Sequence, residues 1–224
     1  MSLEKVALRK LLEIFYADNG RRVHLLRTDI RNQIAREDRE QAGEESEGGG
    51  HFQIPFWADA KAHVAGKLDL AQRTAARILK NKGRERLYRL LAAGFLIWWN
   101  EKRRWRNEEF VYVPRSVKIE YPLDEVSCIV RVENTLEVTV GWHRRVIYPY
   151  FCETILSDEA ARIGLWLLAQ ALPTYDSADL RILDVIRGTS YSLADVPLKG
   201  DEKSLFIAKY RAALADWKRL RGEY

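Results

Sequence analysis

The chain has 224 residues, 47% of them hydrophobic and 31% charged, with a formal net charge of +5; that length can bury a sizeable core, and the composition is ordinary for a soluble globular protein. The longest apolar run, residues 92–99, is eight residues and contains Gly94, far short of the about 20 needed to span a bilayer. The opening residues, MSLEKVALRK, put charges where a secretory signal would be apolar, so a cytoplasmic protein without a membrane partner is expected.

Leu3, Val6, Leu11, Ile14 and Phe15 recur at helical spacing, Asn19-Gly20 offers a left-handed stop, and Val23, Leu26, Ile30 and Ile34 resume the pattern. Arg27, Arg31 and Arg36 lie largely off that stripe. Residues 1–39 are therefore expected to form a helical hairpin. Its apolar stripe must meet the main body, a partner protein or a second copy, because an isolated helix pair is marginal. Residues 40–50 are acidic and end in three glycines, which reads as a flexible linker. The glycines are no phosphate cradle, since no strand precedes them and no Gly-Lys-Ser/Thr follows.

Residues 51–224 are read as one α+β domain. HFQIPFW, residues 51–57, is an apolar anchor. A helix over 58–80 places Val64, Leu68, Ala71, Ala75 and Ile78 on one face, with Gly66 splitting it and Asp69 as a cap. Asn81-Lys82-Gly83 ends it, and a second helix runs over 84–104 through Leu87, Leu91, Phe95 and Trp98. The period then changes to two. Strands are predicted at 110–113, 117–121, 126–132, 136–140 and 145–148, with turns at Glu133-Asn134 and Gly141-Trp142-His143, as an antiparallel meander. Ser157-Asp158-Glu159 starts a helix that ends at Pro173, residues 180–186 form a strand closed by Arg187-Gly188, and residues 202–220 form a last helix with Ile207, Tyr210, Leu214 and Trp217 inward. The fold class is thus α+β: N-terminal helical hairpin and helices, central antiparallel sheet, then helix, strand and helix.

The positive charge is not spread evenly. Residues 58–110 carry 13 basic and 6 acidic side chains, a local surplus that exceeds that of the whole chain. It is densest in FLIWWNEKRRWRNEEF, residues 95–110. There Lys102, Arg103, Arg104 and Arg106 are candidates for gripping phosphate, and Trp105 could stack on an unpaired base if exposed; a place inside the fold is expected for it. Arg84, Arg86 and Arg89 add cations at the other end of the helix, and Arg144 and Arg145 would extend the patch if their hairpin folds over it. The same residue types also suit a protein-docking hot spot, and cations at a helix end favour the dipole without any ligand.

Catalytic and metal signatures are sparse. No GxSxG is present, and Ser190 lacks the strand–turn–helix setting of a nucleophile. Cys128 and Cys152 sit in apolar or aromatic surroundings, which predicts buried thiols rather than a disulfide or a zinc site. Asp59 and His63 share a helix face but lack a third ligand. His143 occupies a turn beside Trp142, and Asp176, Asp179 and Asp184 flank a predicted strand, where loop carboxylates are common. No metal or cofactor is expected.

The order helix, three or more strands, helix, strand over residues 84–186 resembles the PD-(D/E)XK nuclease-like fold. That family sets an acidic residue near its second strand and Asp/Glu-x-Lys on the third, where they hold magnesium. The resemblance implies Asp124 as the first acid and Glu137-Val138-Thr139 at the second site. Thr139 stands where the lysine would be, and Arg144 or Arg145 cannot replace it, because arginine keeps its proton. The resemblance thus allows a degenerate magnesium-dependent nuclease. The residues read by themselves point to a non-catalytic accessory or adaptor protein, binding nucleic acid at the basic aromatic helix end and a protein partner or second copy through residues 1–39. A pure protein-interaction module, adaptor or inhibitor, is the alternative.

Overall fold

The apolar stripe that opens the chain divides between a short strand, β1 (Lys5–Ala7), and two helices, α1 (Leu8–Tyr16) and α2 (Asn19–Gln41). Helix α1 ends at Ala17, whose backbone is extended, and Asp18 accepts a hydrogen bond from the Arg21 amide at 2.8 Å to start α2. Asn19-Gly20 therefore opens the second helix instead of stopping the first. The aspartate satisfies the orphan amide, so no left-handed residue is required. The structure, a computed structural model, describes residues 3–41 and 53–224; from residue 42 on, the predicted linker lies outside the described residues.

Three helices follow: α3 (Gln53–Val64), α4 (Leu70–Lys80) and α5 (Glu85–Ile97). Gly66 at φ +70° breaks the first pair, and Asp69 caps α4 by accepting from the Gln72 amide at 2.8 Å. The buried row of α4 is Leu70, Thr74 and Ile78, while Ala71 and Ala75 face outward. The larger Leu70, rather than the alanines, sets the helix's rotation, because it removes more apolar area from water. Helix α5 stops at Ile97, short of the predicted end. Residues 98–102 form a π-helical turn, closed by the Arg103 amide donating to the Trp98 carbonyl at 2.9 Å, and Arg103 itself is extended.

The expected meander is instead split between two sheets. Strands β2 (Val111–Val113), β3 (Ile119–Leu123), β4 (Cys128–Val132), β5 (Leu136–Val140) and β6 (His143–Tyr150) are followed by α6 (Asp158–Ala171), β7 (Leu180–Asp184), β8 (Thr189–Tyr191) and α7 (Glu202–Arg221). The β3–β4 hairpin leaves the meander and pairs with the N-terminal strand, in the order β1-β4-β3, with β1 parallel to β4. The other strands form a five-stranded sheet, β2-β5-β6-β7-β8, antiparallel except for β6 and β7. Alternation along β4 correctly buries Cys128, Val130 and Val132, but alternation names a strand's faces, not its neighbours. The Ser157 hydroxyl caps α6 through the Ala160 amide at 3.2 Å.

Two hydrophobic cores result, one on each face of the larger sheet. The first gathers α1, β4, α6 and α7, including Leu12, Val130, Tyr148, Leu165 and Phe206. The second gathers α3, α4, α5 and the π-helical turn, including Phe56, Phe95, Trp98, Val138 and Ile147. Helix α1 spends its apolar stripe in the first core, and α2 lies along α7. Among the described residues of this segment no large apolar side chain is exposed, and Leu11, Ile14, Leu26 and Ile30 are buried in the first core. The class is α+β, and no helix among the described residues is long and apolar enough to cross a membrane.

Candidate functional site

The π-helical turn redirects the chain across the second-core face of the large sheet, and the basic run is split by it. Trp105 turns inward, 4% exposed, with its ring edge-on to Trp99 at 5.5 Å and to Phe110 at 5.8 Å. Burial removes it as a stacking platform for a ligand. Arg103 lies over the same cluster, its Cζ 3.7 Å from the Trp99 ring centre, 4.6 Å from Trp105 and 5.3 Å from Phe110. A planar, weakly hydrated guanidinium suits that position where an ammonium would not; burial nonetheless holds its pKa below the ordinary arginine value. Arg104 is exposed and pairs with Asp195. Arg106 donates to the Glu101 carbonyl at 2.5 Å and, like Lys102, is exposed.

The sheet supplies the facing wall. Arg145 and Ile147 project from β6 toward the second core, and the parallel register sets Ile147 beside Arg181 of β7. Neighbours across a ladder share a face, so Arg181 joins Arg145 there. Ser190 of β8, opposite Leu183, completes the row. Together with Trp98, Arg103, Arg104, Trp105 and Asp195, these residues line a cleft of about 20 Å³. Its walls carry four guanidinium groups and one carboxylate.

The hydrogen bonding in the cleft is uneven. Arg181 spends its Nη1 on the carbonyls of Ala178 and Leu180, at 2.5 and 2.8 Å. Burial, and then the nearby charge of Arg145, hold its pKa below the ordinary value. Burial pushes the Asp195 carboxyl up, but hydrogen bonds from the Ser192 hydroxyl and amide, at 2.6 and 2.9 Å, together with Arg104, outweigh it and keep the group below the usual range. By contrast, Arg145 Nε and Arg103 Nε and Nη1 are shielded from solvent and make no hydrogen bond to a described residue. Buried donors are normally paired.

The remaining predicted contacts lie elsewhere. Strand alternation sends Arg144 to the opposite face from Arg145, where its Nε donates to the buried Glu137 and its Cζ sits 4.9 Å from the Tyr175 ring centre; Tyr175 adds a 3.3 Å hydrogen bond to the same carboxylate. Arg144 is therefore not part of the cleft. Arg84, Arg86 and Arg89 stand at the far end of α5, a helix of 13 residues and so about 20 Å long. Arg86 pairs with Glu153, Arg89 with Glu85 at 2.7 Å, and Arg84 lies 5.6 Å from the Tyr88 ring centre.

Asp124 is exposed in a short 3-10 turn after β3, on the smaller sheet, while Glu137 is buried on β5 in the larger one. Among the described residues no group of three or more His, Cys, Asp or Glu side chains is placed to hold a metal ion. Asp59 pairs with Arg77 and Arg73, and His63 Nδ1 is 3.1 Å from the Leu68 carbonyl, so the two do not face one ligand. His143 contacts Asp179 at 3.1 Å, Asp176 caps a 3-10 turn, and Asp184 is buried against Arg187. Cys128 and Cys152 are free thiols, and burial raises Cys128 to about 11 and Cys152 well above its ordinary value, which disfavours the thiolate.

Arg181 and Asp195 were not marked by the sequence as site residues. A signal for Arg181 existed, because one cation sits inside the apolar run Leu180-Arg181-Ile182-Leu183. Asp195 lies in a loop with no such contrast. No protein-family model, curated protein sequence or solved structure matches this chain, so its function is read from the chemistry of the cleft.

Proposed function

We propose that the protein is a non-catalytic nucleic-acid-binding accessory protein that grips phosphate with Lys102, Arg104, Arg106 and Arg145. One observation supports this above the others. Guanidiniums from three separate segments, at 103–104, 145 and 181, converge on one cleft that offers a single carboxylate. Gathering like charges opposes folding, and a polyanion relieves that repulsion on binding. Trp142 supplies the stacking surface that the buried Trp105 does not. It is 98% exposed at the tip of the β5–β6 hairpin, about 10 Å along the strand from Arg145, and an exposed indole stacks on an unpaired base for about 1–3 kcal/mol.

Fluorescence anisotropy with single- and double-stranded DNA and RNA at several salt concentrations tests the reading. Each neutralised phosphate contributes a log–log salt slope of about −0.7 to −0.9. The triple variant Lys102→Ala, Arg104→Ala, Arg106→Ala is expected to bind more weakly and to lose about two units of slope. Arg103 is left in place because its rings depend on it. Binding that ignores both salt and the triple variant sinks the proposal.

A further inference from the structure

We infer that the cleft between Arg103, Arg104, Arg145 and Arg181 seats one phosphomonoester group, and that it favours a terminal phosphate over the internal diesters of a strand. The inference rests on the proposed function only for the source of the phosphate, a strand end; the anion site itself stands on the geometry of the cleft.

Size comes first. A space of about 20 Å³ holds little more than one water molecule, so it admits one oxygen of a group seated at its mouth and excludes a sugar or a base. An internal diester has a sugar on each side that must clear the rim. A monoester projects from the end of its ester bond with no sugar beyond it.

Charge agrees with size. Four guanidiniums against Asp195 leave a local surplus of three positive charges. A monoester near neutral pH carries about −1.5 to −2, whereas a diester carries one negative charge. Hydrogen-bonding capacity remains on these residues: Arg145 Nε, with Arg103 Nε and Nη1, makes no hydrogen bond within the described protein, and Ser190 stands on the same wall. Arg104 is already engaged by Asp195 and Arg181 by the carbonyls of Ala178 and Leu180, so Arg145 is the group with most to gain from an incoming anion. Burial, and then the neighbouring charge of Arg145, hold Arg181 below its ordinary pKa, and an anion seated between them would offset both.

The test uses the full chain and one single-stranded oligonucleotide in three forms: 5′-phosphorylated, 3′-phosphorylated, and hydroxyl at both ends. Anisotropy is measured for the wild type and for Arg145→Met and Arg181→Met, which keep the apolar stems while removing the charge. At least one phosphorylated form is expected to bind tenfold or more tighter than the hydroxyl form, with the preference lost in Arg145→Met. Arg181 is more deeply placed, so circular dichroism of its variant establishes that it folds before its affinity is read.

Equal, salt-steep affinity for all three forms overturns the inference and leaves backbone binding intact. If no oligonucleotide binds, the thermal midpoint is measured with added inorganic phosphate. A rise in wild type that Arg145→Met lacks supports the phosphate seat while overturning a strand end as its source. No rise overturns both.

Discussion

Lys61 and Arg103 show how two cations meet the same kind of surroundings differently. Lys61, on α3, is half-buried, donates to the Ser116 hydroxyl, and has no carboxylate partner among the described residues. Burial pushes its pKa down to about 8 from the ordinary 10.5. Arg103 is also depressed by burial, but its intrinsic pKa is so high that it stays charged, and three rings receive it. Between pH 8 and 10.5 the unfolded chain holds the lysine proton more firmly than the folded one. Folding is therefore penalised in full below pH 8, and the penalty is relieved as pH rises toward 10.5. Lys61→Met is expected to raise the thermal midpoint at pH 7, with the gain shrinking between pH 8 and 10.5. Thermal melts of both proteins across that range check it; a gain that does not vary with pH would mean that desolvation of the lysine is not its source.

At the scale of elements, the cleft depends on how closely α5 approaches the sheet. Gly94 makes that approach possible. A Cβ there would stand 2.2 Å from the Val185 carbonyl and 2.4 Å from that of Ile186. Gly188, at φ +58°, meets the Gly94 carbonyl from the other side. Both obstacles are backbone, which cannot swing aside as a side-chain tip can. Gly94→Ala is expected to cost about 2–3 kcal/mol, read as a lower urea midpoint at unchanged slope. Features with local causes were legible beforehand: β5 from its alternation, the Asp69 and Ser157 caps from their side chains, the break at Gly66. The cleft was half legible. Arg103 and Arg104 announced themselves beside Trp105, but Arg181 reaches Arg145 only through the parallel register of β6 and β7, which no local pattern encodes. Strand β1 escaped for a related reason: three residues show no period, and its partner β4 lies far along the chain.

For the whole molecule, the five-stranded sheet acts as a partition. Helices α3, α4 and α5 complete the core on one side, and α1, α6 and α7 on the other. The N-terminal segment is thus structural twice over, through β1 beside β4 and through the buried face of α1. Removing it would strip apolar cover from α6, α7 and β4 at once. A fragment of residues 51–224 is expected to lack a cooperative thermal transition that the full chain shows; a sharp transition in the fragment would mean that the second core, with the sheet, folds alone.

The π-helical turn at residues 98–102 fixes something other than composition. Asn100 and Glu101 are exposed there, so their identities are loosely constrained. Their number is not. Each helical residue advances the chain by about 100° around the axis, and the widened turn holds the one extra step that brings Trp105 inward and Arg104 toward the sheet. Deleting a single residue would return the segment to ordinary helical phase and swing the arginines away from Arg145 and Arg181. Across related sequences the spacing between Trp98 and Arg103 should therefore vary less than the residues that fill it.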